Sequence, residues 1–198
     1  MPRRGRRIAP LALLATVSLA GCPSPGGPLG KSAPIRPDAP PSELFPLAAE
    51  TSWSYDVLDQ QTGARSLLVN RVLRREGPRA VLFDGDDPLA YEDRGDRIVR
   101  LPSGATVLQA PLRAGATWDV PGGAARITSV DATVQAVHQS FTPCVVVEET
   151  TAETRVLTSY ARDVGPVAVE VWARGPAGEQ LLSRGVLRGY HRAGAPTP

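Results

Sequence analysis

From residue 60 onward no stretch of ten residues repeats its apolar side chains every 3.6 positions, so an amphipathic helix has nowhere to form. The chain offers short β-prone runs instead: 53–57, 67–73, 79–83, 97–101, 106–109, 144–151, 154–161, 167–173 and 181–190. Turn formers separate them, as in Gln61-Thr62-Gly63, Glu76-Gly77-Pro78, the acidic stretch 84–88 and Arg94-Gly95-Asp96. Val130, Ala132, Val134 and Ala136 alternate with polar neighbours, the period of a strand with one buried face. Ile127 lies on the opposite parity, which predicts a bulge near Thr128-Ser129. Gly175-Pro176-Ala177-Gly178 reads as a hairpin connection. The expected fold class is all-β, an antiparallel meander forming a curved sheet, half-barrel, barrel or sandwich, with at most a helical turn near 42–47 or 48–51.

One internal echo bears on the architecture. Pro46-Leu47-Ala48-Ala49-Glu50-Thr51-Ser52-Trp53 and Pro111-Leu112-Arg113-Ala114-Gly115-Ala116-Thr117-Trp118 share the spacing P-L-x-A-x-x-x-W. The proline bars a helix, a small or turn residue reverses the chain, and the tryptophan opens a strand with its ring on the core face. Two such openings predict two equivalent hairpin starts closing one sheet.

The N-terminus is built differently. Arg3, Arg4, Arg6 and Arg7 precede a short apolar stretch from Ile8 to Leu19, the arrangement of a cleaved secretory signal. No apolar run reaches the ~18 residues that a spanning helix needs. The formal charge of +2 comes from that segment: without residues 1–21 the chain carries 18 basic and 20 acidic side chains, or −2. Its basicity therefore gives no nucleic-acid footprint.

Leu19-Ala20-Gly21-Cys22 resembles the lipobox of bacterial lipoprotein signal peptides at all four positions. The resemblance implies a diacylglyceryl group on the Cys22 thiol and further acylation of its amine after cleavage. Two or three acyl chains suffice for stable anchoring where one is marginal. Pro23 and Ser24 follow the cysteine in place of an aspartate, which by the same resemblance implies the outer membrane of a Gram-negative cell.

Between Pro23 and Pro41 seven of nineteen residues are proline and three are glycine, with few large apolar side chains. Such a stretch buries too little surface to offset its ordering entropy and is expected to stay an extended tether. The expected organisation is a signal peptide over 1–21, the lipidated cysteine and tether over 22–41, an antiparallel β domain over 42–192 and a flexible tail over 193–198.

Phe45-Pro46-Leu47 with Trp53 and Tyr55, Pro111-Leu112 with Gly115 and Trp118, and Tyr160-Ala161 with Val164-Gly165-Pro166-Val167 resemble the opening, middle and closing motifs of uncharacterised bacterial envelope lipoproteins. Glu50 stands where that group usually has glycine. The resemblance implies an all-β fold and assigns no catalytic residue. A weaker likeness of architecture links such chains to the curved half-barrels of lipoprotein carriers and receptors.

The candidate chemistry is thin. Once Cys22 is acylated, Cys144 is the remaining cysteine. It reads as a small core residue before Val145-Val146-Val147, with a nucleophile paired to His138 or His191 as the competing reading. Asp84, Asp86, Asp87, Glu92, Asp93 and Asp96 form the densest acidic cluster but lack calcium-loop spacing and read as hairpin loops. Glu148, Glu149 and Glu153 form no recognisable acid pair, Ser32, Ser103 and Ser183 lack a nucleophile-elbow context, and 26–32 has the wrong spacing for a phosphate loop. Arg71, Arg74 and Arg75 read as the exposed face of a strand. Trp53, Tyr55 and Trp118 are the aromatic candidates for ligand contact or core packing.

These readings predict a non-enzyme with no catalytic residue, metal or cofactor. Its partners are the membrane, through the anchor, and an envelope protein, with no nucleic acid. An interaction or structural module is the leading function. The alternative is a half-barrel carrier or receptor for a hydrophobic ligand such as an acyl chain, which requires a cavity of several hundred Å³ open at one end.

Overall fold

The computed structural model describes residues 33–85 and 88–192. The lipobox with Cys22, most of the tether, Asp86, Asp87 and the tail 193–198 lie outside the described residues. The chain forms twelve strands: β1 (Ser52–Asp59), β2 (Arg65–Glu76), β3 (Arg79–Phe83), β4 (Pro88–Asp93), β5 (Arg97–Leu101), β6 (Ala105–Gln109), β7 (Thr117–Val120), β8 (Gly123–Gln135), β9 (Ser140–Thr151), β10 (Thr154–Ala161), β11 (Gly165–Gly175) and β12 (Gly178–His191). They make one antiparallel sheet in the order β6-β5-β4-β3-β2-β1-β12-β11-β10-β9-β8-β7. Its two ends are therefore strands consecutive in sequence. The sheet curls until they meet, and the Trp118 indole on β7 donates to the Thr106 carbonyl on β6 at 2.8 Å. The result is a nearly closed barrel with its seam between β6 and β7.

The predicted β class holds, and the differences are local. β4 escapes the sequence pattern because its apolar core, Leu89-Ala90-Tyr91, is three residues long between acidic neighbours. The expected bulge appears, and β8 shifts register against β9 between Ile127 and Ser129 and twice more before Val134. Gly175 pairs with Gly178, leaving Pro176-Ala177 as a two-residue connection. The helical turn is a 3-10 turn at Pro41–Glu43, with proline at its start where no amide hydrogen is needed.

The echoed motifs build the same structure twice. Glu50 and Gly115 take positive φ, 66° and 85°. The Glu50 amide donates to the Val72 carbonyl and the Val72 amide to the Thr51 carbonyl. In the second copy Gly115 donates to Ile127, and Ile127 to Ala116. Each copy thus starts a six-strand half, β1–β6 or β7–β12, and β1 pairs with β12 to join them.

Residues 33–41, expected to belong to the tether, lie against one end of the barrel. Ile35, Ala39 and Pro41 are buried. Leu112 donates its amide to the Pro37 carbonyl, the Arg162 guanidinium reaches the Pro34 carbonyl, and Asp163 donates to the Glu43 carbonyl. Proline content predicted an unpacked stretch; its few apolar side chains dock because the loops after β6 and β10 supply the donors that a proline-rich backbone accepts from.

Candidate functional site

That N-terminal segment closes one end of the barrel and sets the floor of a cavity. Leu44, Phe45 and Leu47 follow the 3-10 turn into the interior, each 5% exposed or less. Phe45 meets three rings: Tyr91 edge-on at 5.4 Å, Trp53 at 5.9 Å and Tyr160 at 6.1 Å between centroids. Edge-to-face and tilted contacts are the preferred geometry of such pairs. Trp53 is fixed in turn, because its indole donates to the Val164 carbonyl at 2.6 Å. Gly165 allows this close fit: at φ 112° it adopts a conformation that side-chain-bearing residues avoid, and a Cβ there would lie 2.8 Å from the Trp53 Nε1. The Tyr55 hydroxyl donates to the Pro166 carbonyl at 2.9 Å.

Above this floor lies a cavity of about 560 Å³, partly open to solvent. Alternation on the strands decides its lining. Val57, Leu68, Leu82, Val147, Val156 and Val169 face inward and give mostly apolar walls. Polar side chains interrupt that lining: Asp84, Arg100, Glu149, Thr154 and Ser183, with Arg100 paired across from Tyr91 of the floor. Asn70 also lines the cavity, and its buried Oδ1 accepts no hydrogen bond from any described residue. Burial drives the Tyr55, Tyr91 and Tyr160 phenols above the ordinary tyrosine range. The Arg100 charge partly counters this at Tyr91 and Tyr160. The phenols stay neutral, and the cavity is mostly apolar with a few polar side chains in its wall.

Of the aromatic candidates, Trp53 and Tyr55 line the cavity, whereas Trp118 stands at the seam. Tyr91, Asn70 and Arg100 were missed as lining residues. The signal for Tyr91 was available, since an aromatic in a short apolar run between charged residues marks a brief strand. Nothing in sequence marks Asn70 or Arg100, because their inward placement follows from the register of β2 and β5.

Cys144 is fully buried in β9, with its Sγ donating to the Phe141 carbonyl at 3.4 Å. Burial pushes its thiol up to about 11. His138 and His191 are exposed, and no hydrogen bond joins either to the thiol. Three acids of the loop cluster are engaged by arginines: Glu92 by Arg94 and Arg79, Asp93 by Arg75, and Asp96 by Arg97. Among the described residues no group of His, Cys, Asp and Glu side chains is arranged to hold a metal ion.

No family model and no curated protein matches the chain. Solved structures align with part of it. A candidate exported protein with a YmcC-like fold from Bacteroides fragilis NCTC 9343 aligns over 75% of this chain and 99% of its own, at 14% identity and a TM-score of 0.49. A candidate lipoprotein from Parabacteroides distasonis ATCC 8503 aligns over 75% of this chain and 98% of its own, at 11% identity and a TM-score of 0.45.

Proposed function

We propose that this chain is a lipid-anchored envelope lipoprotein whose barrel is a non-enzymatic receptacle for a hydrophobic ligand such as an acyl chain. The cavity carries the reading. Its volume of about 560 Å³ falls within the roughly 300–1,000 Å³ of small-molecule sites, and its aromatic floor, mostly apolar walls and few polar groups suit a largely apolar ligand. Sequence alone ranked an interaction or structural module first; a hollow interior moves ligand binding ahead of it. The address rests on Leu19-Ala20-Gly21-Cys22 and on Pro23 and Ser24, which support attachment at Cys22 and the outer membrane. The interaction reading keeps one supporting observation, the exposed Leu67, Val69, Leu73 and Phe83 on the outer wall.

The test is uptake of a fluorescent fatty-acid analogue by the full chain and by Val156→Trp and Val169→Trp, which fill the lumen from two adjacent strands, β10 and β11. Saturable binding that both variants abolish, with melting unchanged, supports the reading. Absent binding, or binding that both variants retain, overturns it.

A further inference from the structure

The outer wall of the barrel carries a surface that the lumen does not explain. On β2 the outward side chains run Arg65, Leu67, Val69, Arg71 and, past the register shift near Val72, Leu73. Leu67 is 60% exposed, Val69 45% and Leu73 53%, and Phe83, paired across from Arg71 on β3, is 40% exposed. These are four of the six exposed large apolar or aromatic side chains among the described residues, gathered on two paired strands. A contiguous apolar patch of this kind on a soluble face marks an interaction site. The stripe continues into an outer groove of about 750 Å³ lined by Leu58, Arg65, Leu67, Val137 and Val186, where the tip of the β8–β9 hairpin reaches β12 and Val137 donates to the Leu187 carbonyl.

Charge selects the occupant. Arg65 and Arg71 are exposed and form no ion pair with any described acid, unlike Arg74, Arg75 and Arg79 beside them, which pair with Glu76, Asp93 and Glu92. Two unpaired guanidinium groups bracketing Leu67 and Val69 match a surface that is apolar beneath and anionic at its rim. A second copy docked through the same face would bring these arginines toward one another, since a two-fold interface is self-complementary. A bilayer presents the required layers in the required order: phosphates for the guanidiniums and acyl chains for the leucine, valine and phenylalanine side chains.

We infer that the outward face of β2 and β3 lies on the surface of an anionic phospholipid membrane. Leu67, Val69, Leu73 and Phe83 enter the interfacial layer, and Arg65 and Arg71 engage lipid phosphates. This contact is separate from the acyl anchor and from the lumen, and it turns the barrel onto its side.

The mature chain from residue 22, carrying Cys22→Ser, removes both the anchor and the basic, apolar segment 1–21 from the readout. It is expected to sediment with phosphatidylcholine vesicles containing phosphatidylglycerol, to remain in solution with phosphatidylcholine alone, and to dissociate as salt rises. Arg65→Gln with Arg71→Gln is expected to weaken association about twenty-five-fold, near fivefold for each arginine. Leu67→Ser with Val69→Ser is expected to weaken it as well. Fluorophores on Val69→Cys and Asp119→Cys provide a readout independent of those changes, and brominated lipid should quench the first and spare the second. Equal binding to both vesicle types, no binding, binding indifferent to both double substitutions, or equal quenching at the two positions overturns the inference. So does a concentration-dependent dimer that Leu67→Ser abolishes, which would assign the face to a second copy.

Discussion

Glu50 and Gly115 occupy the same place in two copies of one turn, three residues before a core tryptophan, and both hold positive φ. The sequences agree in proline, leucine, alanine and tryptophan but differ at the residue that must adopt the left-handed conformation. The surrounding hydrogen bonds to Val72 and Ile127 are equivalent, so the fold imposes the conformation whether or not glycine is present.

A reciprocal pair of substitutions measures that imposition. A side chain in the left-handed region costs ~1–2 kcal/mol, and glycine returns part of the gain as freedom of the unfolded chain. Glu50→Gly is expected to raise stability by about 0.5 kcal/mol, and Gly115→Ala to lower it by about 1 kcal/mol. A Cβ at Gly115 meets nothing within 4 Å, so the second cost is conformational alone. Urea melts of the two variants check both signs.

The two tryptophans tie the halves together crosswise. Trp53 of the first half donates to Val164 in the second, and Trp118 of the second donates to Thr106 in the first. Replacement by phenylalanine keeps the ring and leaves a buried carbonyl without its donor, which costs about 1–3 kcal/mol. Gly165→Ala is expected to lose at least about 2 kcal/mol, because positive φ and collision with the Trp53 ring act together. It should also shift the tryptophan emission, which Gly115→Ala should not.

Cys144 is expected to be inert. Its thiol is buried and pushed up to about 11, so little thiolate forms near neutrality and reagent cannot reach it. Folded protein lacking Cys22 should resist maleimide at pH 8 and react fully in denaturant. Rapid labelling of the folded state would show that β9 opens.

Alkaline pH should unfold the barrel cooperatively. Tyr55, Tyr91 and Tyr160 all have folded-state values raised by burial, and the protonated phenol is the neutral form that burial favours. Their contribution is fully present below the unfolded-state value of about 10 and is lost as pH climbs above it. Absorbance of phenolate and loss of the strand signal in circular dichroism should therefore rise together for these residues. Phenolate absorbance saturating while the β spectrum persists would contradict the burial.

Much of the framework was legible because strand alternation and turn chemistry are local. Val130 to Ala136 announced a half-buried strand, Arg79–Phe83 was bounded by its turns, and the paired tryptophan motifs announced two equivalent strand openings. The lumen was less legible. Trp53 and Tyr55 could be singled out, but their meeting with Phe45, Tyr91 and Pro166 depends on contacts across more than a hundred residues in some cases, such as Tyr55 to Pro166 at a separation of 111. Residues 33–41 misled for a related reason. Their composition describes what the stretch can do alone, and it packs only because Leu112 and Arg162 arrive from distant loops.

The wall of this vessel is hydrogen-bonded strand to strand around its whole circumference except at one joint, where an indole clasp on β7 replaces a ladder. Parting the wall there breaks a clasp, whereas parting it elsewhere unzips a row of amides. Thermal widening is thus expected first along that one longitudinal slit, which would give a long, flexible guest of the proposed kind a sideways route in.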